Sequence, residues 1–172
     1  MLLDGRSIVF MDECRFYRHG IGIRAWYPPE DLDPMVMQEP NKNGICVFGD
    51  VNIGIGRLIT KITDRYNALT FLEFLSMVHA RFPDSVLVLD NAMYHHAGII
   101  TDYAFLTGID LLFLPSYSPK LNPIERVWKL VKKNATHNRY FQLLSDLGGA
   151  LVGEFSKYSK PNRELTKLCV IT

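Results

Sequence analysis

The stretch SVLVLD (residues 85–90) constrains the fold more than any other part of this sequence. Its four consecutive apolar residues leave no polar side for solvent, which indicates a strand buried on both faces of a parallel sheet. A helical pattern over 97–107 ends at Gly108, and DLLFLP (110–115) has the composition of a second buried strand. A strand, a helix and a strand within about 30 residues form a right-handed βαβ unit.

The remaining segments extend this unit into a mixed sheet. SIVFMD (7–12) predicts a buried strand, and the segments GICVFGDV (44–51) and GRLITKIT (56–63) predict a hairpin. We expect an α/β fold in which helices cover the sheet and sites lie at the carboxyl ends of strands. The other predicted elements are a strand at 24–29 (RAWYPP), a surface loop at 28–44, helices at 67–81, 122–134 and 141–158, and loose residues at the end.

Composition narrows the class of protein. The chain has 172 residues and a formal net charge of +1, so we expect one domain whose basic surface is local rather than global. Its three cysteines, Cys14, Cys46 and Cys169, are widely spaced, which argues against a disulfide framework or a zinc site and favours a reducing, cytoplasmic location. No apolar run reaches about 18 residues, so we expect no membrane span.

The segment LPSYSPKLNPIERVWK (114–129) has two interpretations. Asn122 suits the N-cap of a helix, Pro123 suits its first position, and Glu125 falls where a capping box places a carboxylate. The apolar stripe at Ile124 and Val127 then marks the buried face. Taken alone, this segment favours a cap, and only the rest of the chain supplies a reason to treat Glu125 as a ligand. A similar capping box is predicted at Thr70 and Glu73.

Three acids are placed to meet at one edge of the sheet. Asp12 closes SIVFMD, Asp90 closes SVLVLD, and Glu125 lies in the first turn of the helix that follows DLLFLP. Carboxylates brought together repel one another unless cations lie between them, and all-oxygen ligand sets suit Mg²⁺ or Mn²⁺. Each aspartate could instead be a turn residue. Glu13 should point to the opposite side of its strand, as a surface group or a group that supports the site, and Asp50 is a weaker candidate.

Histidines and basic residues flank these acids. His95 and His96 follow Asp90 in LDNAMYHHAG, but neighbouring histidines point apart, so a position beside the site is favoured over metal ligation. A set of cations surrounds Glu125 and forms either a solvated face or a contact for phosphates, comprising Lys120, Arg126, Lys129, Lys132 and Lys133.

Together, LVLDNAMYHHAG and LPSYSPKLNPIERVWKLVK resemble the catalytic domain of DDE transposases, in the mariner-like branch that includes prokaryotic insertion-sequence transposases. The MDE at 11–13 and the later RAWYPP fit the same pattern. The 34 residues between Asp90 and Glu125 match the spacing of that branch. The resemblance covers roughly residues 5–135, and its most specific part is the segment SPKLNPIERVW.

The resemblance implies a ribonuclease H-like fold, with a mixed five-stranded sheet and helices on both faces. It assigns Asp12, Asp90 and Glu125 as a catalytic triad that holds two Mg²⁺ or Mn²⁺ ions. We expect Asn91, His95 and Asn122 to support this triad from behind. It implies cleavage of DNA at transposon ends and joining of the freed 3′-hydroxyl to target DNA.

The resemblance also bears on domains and partners. We expect residues 1–172 to form one catalytic domain, with a core at about 5–135 and a C-terminal helix at about 140–158. A helix-turn-helix domain, usual before this domain in the family, is expected to be absent or to be carried by a separate chain. We expect a homodimer when active. The helix at 141–158 is a candidate interface, although covering its own sheet is favoured.

Two alternatives remain open. One is a ribonuclease H-like nuclease that acts on another nucleic acid, which would need Glu73 to point into the site. The other is a non-catalytic remnant that binds DNA or assembles with an intact transposase.

Overall fold

The five strands of this computed structural model form one mixed sheet in the order β3-β2-β1-β4-β5. The structure describes residues 5–19, 43–116 and 118–170. The predicted strand at 24–29 and nearly all of the predicted loop at 28–44 lie outside these residues. The strands are β1 (Ser7–Tyr17), β2 (Gly44–Asn52), β3 (Arg57–Thr63), β4 (Ser85–Leu89) and β5 (Asp110–Phe113).

The sheet combines antiparallel and parallel strand pairs. The hairpin β2–β3 is antiparallel, and β2 also pairs antiparallel with β1. On its other side β1 pairs parallel with β4, which pairs parallel with β5. The predicted hairpin and βαβ unit are therefore confirmed. The helices are α1 (Ala68–Arg81), α2 (Gly98–Thr107), α3 (Ile124–Val131), α4 (Leu144–Ser156) and α5 (Arg163–Leu168).

The helices lie on both faces of the sheet, as predicted, because side chains along β1 alternate between them. Phe10, Cys14 and Phe16 pack with α3, α4 and α5 around Trp128, which is only 2% exposed. Val9 and Met11 of β1 point to the opposite face and pack with α1 and α2. The buried apolar residues of α4 pack in the cluster around Trp128, so this helix covers its own sheet. Within the described residues, no helix is long and apolar enough to span a membrane.

Three local predictions need correction. β1 does not end at Asp12 but continues to Tyr17, because β2 pairs with it well past the end of β4. β5 is an edge strand whose residues alternate between exposed and half-buried, since only β4 pairs with it among the described residues. The capping box of α1 joins Asn67 to Thr70 rather than Thr70 to Glu73.

The chain end is also more ordered than predicted. The Asn162 side chain caps α5 by accepting from the backbone N–H groups of Glu164 and Leu165. Leu165 is fully buried and packs into the Trp128 cluster. The β2–β3 turn approaches α5 closely at Gly56, where an added Cβ would lie 2.0 Å from the Asn162 carbonyl oxygen. Burial of α5 therefore explains its order.

Candidate active site

Strand register brings the two aspartates side by side. Phe10 of β1 pairs with Val88 of β4, so two residues further along Asp12 and Asp90 lie at the same level of the sheet. Asp12 lies within β1, while Asp90 comes directly after the end of β4 at Leu89. The two acids therefore lie side by side on neighbouring parallel strands, at the level where β4 ends and where sites in α/β sheets form.

Asp12 is held by the helical layer behind it. Trp128 of α3 donates a hydrogen bond from Nε1 to Asp12 Oδ2 at 3.0 Å. The indole can approach because Gly49 of β2, which pairs with Asp12 of β1, has no side chain to obstruct it. Burial, followed by the nearby carboxylates of Glu13 and Glu125, raises the pKa of Asp12 to about 7.

Glu125 reaches this edge through a loop that is anchored to the strands. The Asn122 side chain donates from Nδ2 to the Met11 carbonyl oxygen at 2.8 Å, and the Asn91 amide donates to the Leu114 carbonyl oxygen. These contacts hold both ends of the loop against β1 and β4. They place the start of α3, with Glu125 in its first turn, beside Asp12.

The predicted N-cap lies one residue further along, because the helix begins at Ile124 and Pro123 occupies the cap position. The Asn122 side chain still contacts the helix start, since its Oδ1 accepts from the Ile124 backbone N–H at 3.4 Å. Asn122 is 5% exposed, and its amide serves a strand carbonyl 111 residues away in the sequence. No local pattern could have shown this contact, because its partner is a main-chain oxygen on a distant strand.

The acids open onto one cavity of about 440 Å³. Asp12, Asp90 and Glu125 all line it, together with Asn91 and Asn122. The Asp90 side chain is 54% exposed and Glu125 is half-buried, so the cavity is accessible from solvent. Three acids that are distant in sequence therefore share one pocket, as predicted.

Behind the cavity lies a cluster that sequence reasoning recognised only in part. His95 is fully buried, with Nδ1 at 3.1 Å from Asp90 Oδ1 and Nε2 at 3.1 Å from Glu13 Oε1. Tyr94 donates its hydroxyl to the same Glu13 oxygen. Glu13 points away from Asp12, as expected, and of its two predicted roles it has that of a supporting group, since its side chain is 13% exposed and contacts His95.

The remaining acids lie away from the cavity. Glu73 is exposed on α1 and pairs with Lys61. Asp50 is completely buried on β2, and within the described residues neither carboxylate oxygen has a hydrogen-bond partner. Burial raises the pKa of Asp50 well above its usual value. Neither residue lines the pocket that holds the three acids.

The predicted basic residues differ in their surroundings. Lys120, Lys129 and Lys133 are exposed. Lys132 is half-buried, with its Nζ 5.8 Å from the centre of the Phe16 ring. Arg126 donates from Nη1 to the carbonyl oxygens of two C-terminal residues, at 3.0 and 2.7 Å, which are Leu168 and Val170. The contact of these residues with DNA stays a prediction, and Arg126 also holds the C-terminal segment.

Two transposases are similar to this chain in sequence. The Tc3 transposase of Caenorhabditis elegans is 27% identical over 94% of this chain and 52% of its own length. The Tcb2 transposase of Caenorhabditis briggsae is 30% identical over 86% of this chain and 61% of its own length. The chain thus spans about half the length of the curated relatives it matches.

A solved structure shows the same fold. The Mos1 mariner paired end complex with Mn superposes with a TM-score of 0.70 at 17% identity, covering 95% of this chain and 52% of that one. This likeness identifies the sheet and its helices as a ribonuclease H-like fold, as predicted. The family model described as DDE superfamily endonuclease matches residues 7–148, which include all three acids of the cavity. The chain therefore belongs to the DDE superfamily endonuclease family.

Proposed function

We propose that this chain is the catalytic domain of a transposase that cuts DNA at transposon ends and joins the freed 3′-hydroxyl to target DNA. The observation that carries the proposal is the convergence of Asp12, Asp90 and Glu125 on one open cavity. Membership of the endonuclease family and the likeness to Tc3 and Tcb2 transposases support the same reaction class.

The donor set of the cavity fits Mg²⁺ or Mn²⁺. All three candidate ligands are carboxylates, the type of oxygen ligand these cations prefer. The raised pKa of Asp12, caused by burial and by Glu13 and Glu125, indicates unbalanced negative charge that a divalent cation would neutralise. Asp12, Asp90 and Glu125 would hold these ions, which when bound would supply activation of the attacking oxygen and stabilisation of the leaving one in phosphodiester chemistry.

The protein's own residues position these ligands. The Trp128 indole holds one oxygen of Asp12, and Asn122 fixes the loop that carries Glu125. The exposed ammonium groups of Lys120 and Lys129 lie on the elements next to the cavity, where they would contact DNA phosphates. Such contacts set the register of the strand without reading its sequence.

The proposal includes assembly on DNA. The Mos1 structure is described as a paired end complex, and by likeness we propose that two copies of this protein act together on two transposon ends. Sequence-specific recognition of those ends is assigned to a helix-turn-helix segment, carried on the same polypeptide or on a separate chain. The ribonuclease H alternative is disfavoured because Glu73 lies on the surface beside Lys61.

The test combines metal binding with DNA cleavage. Mn²⁺ affinity is measured by calorimetry, and nicking of supercoiled plasmid DNA is followed in the presence of Mn²⁺. Asp12→Asn, Asp90→Asn and Glu125→Gln should each slow nicking at least about a hundredfold, because several kcal/mol of transition-state stabilisation would be lost.

Glu73→Gln is the matched control, since it removes an acid outside the cavity and should cleave like the parent. Cleavage by the three cavity variants at the parent rate would refute the assignment. A parent protein that binds no Mn²⁺ would refute it as well.

A further inference from the structure

The imidazole of His95 lies between two carboxylates that belong to different strands. Its Nδ1 atom lies 3.1 Å from Asp90 Oδ1 and 3.2 Å from the Asp90 carbonyl oxygen. Its Nε2 atom lies 3.1 Å from Glu13 Oε1. Each ring nitrogen thus faces oxygen acceptors, so each is placed to donate a hydrogen bond.

This cluster does not have the geometry of a single metal site. Ligand atoms of Glu13, Asp90 and His95 lie within 4.8 Å of one another. However, the two nitrogens of an imidazole point to different sides of the ring, and here each is directed at a different carboxylate. One ion could contact only one of these nitrogens, so the cluster has the geometry of a hydrogen-bonded chain from Glu13 through His95 to Asp90.

The far end of this chain is rigid. The His95 ring is completely buried, with ring centroids 4.5 Å from Phe71 of α1 and 4.4 Å from Tyr94. Burial and the Glu13 carboxylate raise the pKa of Tyr94, which keeps its hydroxyl protonated as a donor to Glu13. Packing therefore fixes the imidazole before any ligand arrives.

Asp90 needs such support more than Asp12 does. Its side chain is 54% exposed, and it follows the end of β4 rather than lying within a strand. Its Oδ1 atom accepts from the Ala92 backbone N–H at 3.0 Å and lies 3.1 Å from His95 Nδ1, whose hydrogen bond goes to the Asp90 carbonyl oxygen. Both contacts fall on the same oxygen, and within the described residues no hydrogen bond reaches Oδ2. The second oxygen is thus left to face the cavity.

We propose that His95, held by Glu13 and Tyr94, is a positioning residue that orients the Asp90 carboxylate for the divalent ion. This inference rests on the proposed function, because it takes Asp90 to be a metal ligand. Hydrogen bonds behind a metal ligand fix its orientation, and removing them typically weakens metal binding about 10- to 100-fold.

Two substitutions at His95 separate its two contacts. The carboxamide nitrogen of asparagine lies near the position of Nδ1, whereas that of glutamine lies near Nε2. His95→Asn should keep the contact with Asp90, and His95→Gln should keep only the contact with Glu13. We expect His95→Gln to weaken Mn²⁺ binding at least about tenfold and His95→Asn to restore most of that loss.

The measurement is Mn²⁺ titration calorimetry at one fixed pH, with thermal unfolding of each metal-free variant recorded beside it. His96→Gln is the matched control, because His96 is exposed and stacks on Phe113 at 4.2 Å without contacting an acid of the cavity. A purely structural role for His95 would lower Tm in both variants without making asparagine bind Mn²⁺ more tightly than glutamine.

The outcomes separate this inference from the proposed function. If Asp90→Asn abolishes Mn²⁺ binding while His95→Gln binds like the parent, the positioning role is overturned and the proposed function stands. If Asp90→Asn binds Mn²⁺ like the parent, the metal assignment of Asp90 fails and the positioning role fails with it. Should the His95 variants not fold, Glu13→Gln keeps the side-chain shape and should still weaken Mn²⁺ binding. Parent-like affinity of a folded Glu13→Gln protein would then overturn the inference.

Discussion

One added methyl group at Gly49 tests whether the approach of Trp128 to the central strands supports the candidate site. A Cβ at this position would lie 2.3 Å from Cη2 and 2.7 Å from Cζ2 of the indole. Trp128 cannot easily move aside, because it is 2% exposed and packs edge to face against Phe16 and Phe155. The ring centroids are 6.0 and 6.5 Å apart. Gly49→Ala must therefore displace the indole or the strand.

The expected loss of stability has three parts. Overpacking a well-filled core costs about 1–3 kcal/mol. Displacing the indole also weakens its 3.0 Å hydrogen bond to Asp12, and hydrogen bonds to charged groups contribute about 1.5–3 kcal/mol. The lower chain entropy of alanine in the unfolded state returns about 0.4–1 kcal/mol. We expect the free energy of unfolding to fall by about 1.5–5.6 kcal/mol.

Urea denaturation of the metal-free protein measures this change. Gly149→Ala supplies the matched control, since it lies inside α4 and an added Cβ meets no atom within 4 Å. Replacing this helical glycine should raise the free energy of unfolding by about 0.5–1 kcal/mol. The same substitution is thus expected to have opposite signs at the two positions. A Gly49→Ala protein as stable as the parent would refute the reasoning about Trp128.

The remaining predictions concern a buried acid and two cations. Burial raises the pKa of Asp50 above its usual 3.8, so the folded protein keeps a proton that the unfolded chain releases. In urea titrations, the stability of the parent relative to Asp50→Asn should fall as the pH rises above about 4, and a constant difference would contradict this. Lys129→Ala should weaken DNA binding and make the slope of log affinity against log salt about one unit shallower, as measured by fluorescence anisotropy, and an unchanged slope would exclude a phosphate contact. Arg126→Ala should lower the free energy of unfolding by about 1.5–3 kcal/mol, because Nη1 holds two C-terminal carbonyl groups, and a parent-like urea midpoint would show that these contacts contribute little.

Much of the fold could be predicted because its signals are local. The apolar run of β4 and the helix stop at Gly108 are properties of a few neighbouring residues, and both are confirmed. The weaker predictions failed where pairing partners decide the outcome. β1 continues past Asp12 because β2 pairs with it, and α5 is ordered because Leu165 is buried against distant elements.

The candidate site divides in the same way. The residue types and the spacing of Asp90 and Glu125 are visible in the sequence. The strand order of the folded sheet then places Asp90 and Glu125 beside Asp12. The contacts of Asn122 and Glu13 were not visible, because their partners lie 111 and 82 residues away. Local sequence therefore determined the elements and the acids at their ends. Only tertiary packing decided which groups stand behind those acids, since such contacts depend on how distant segments come together.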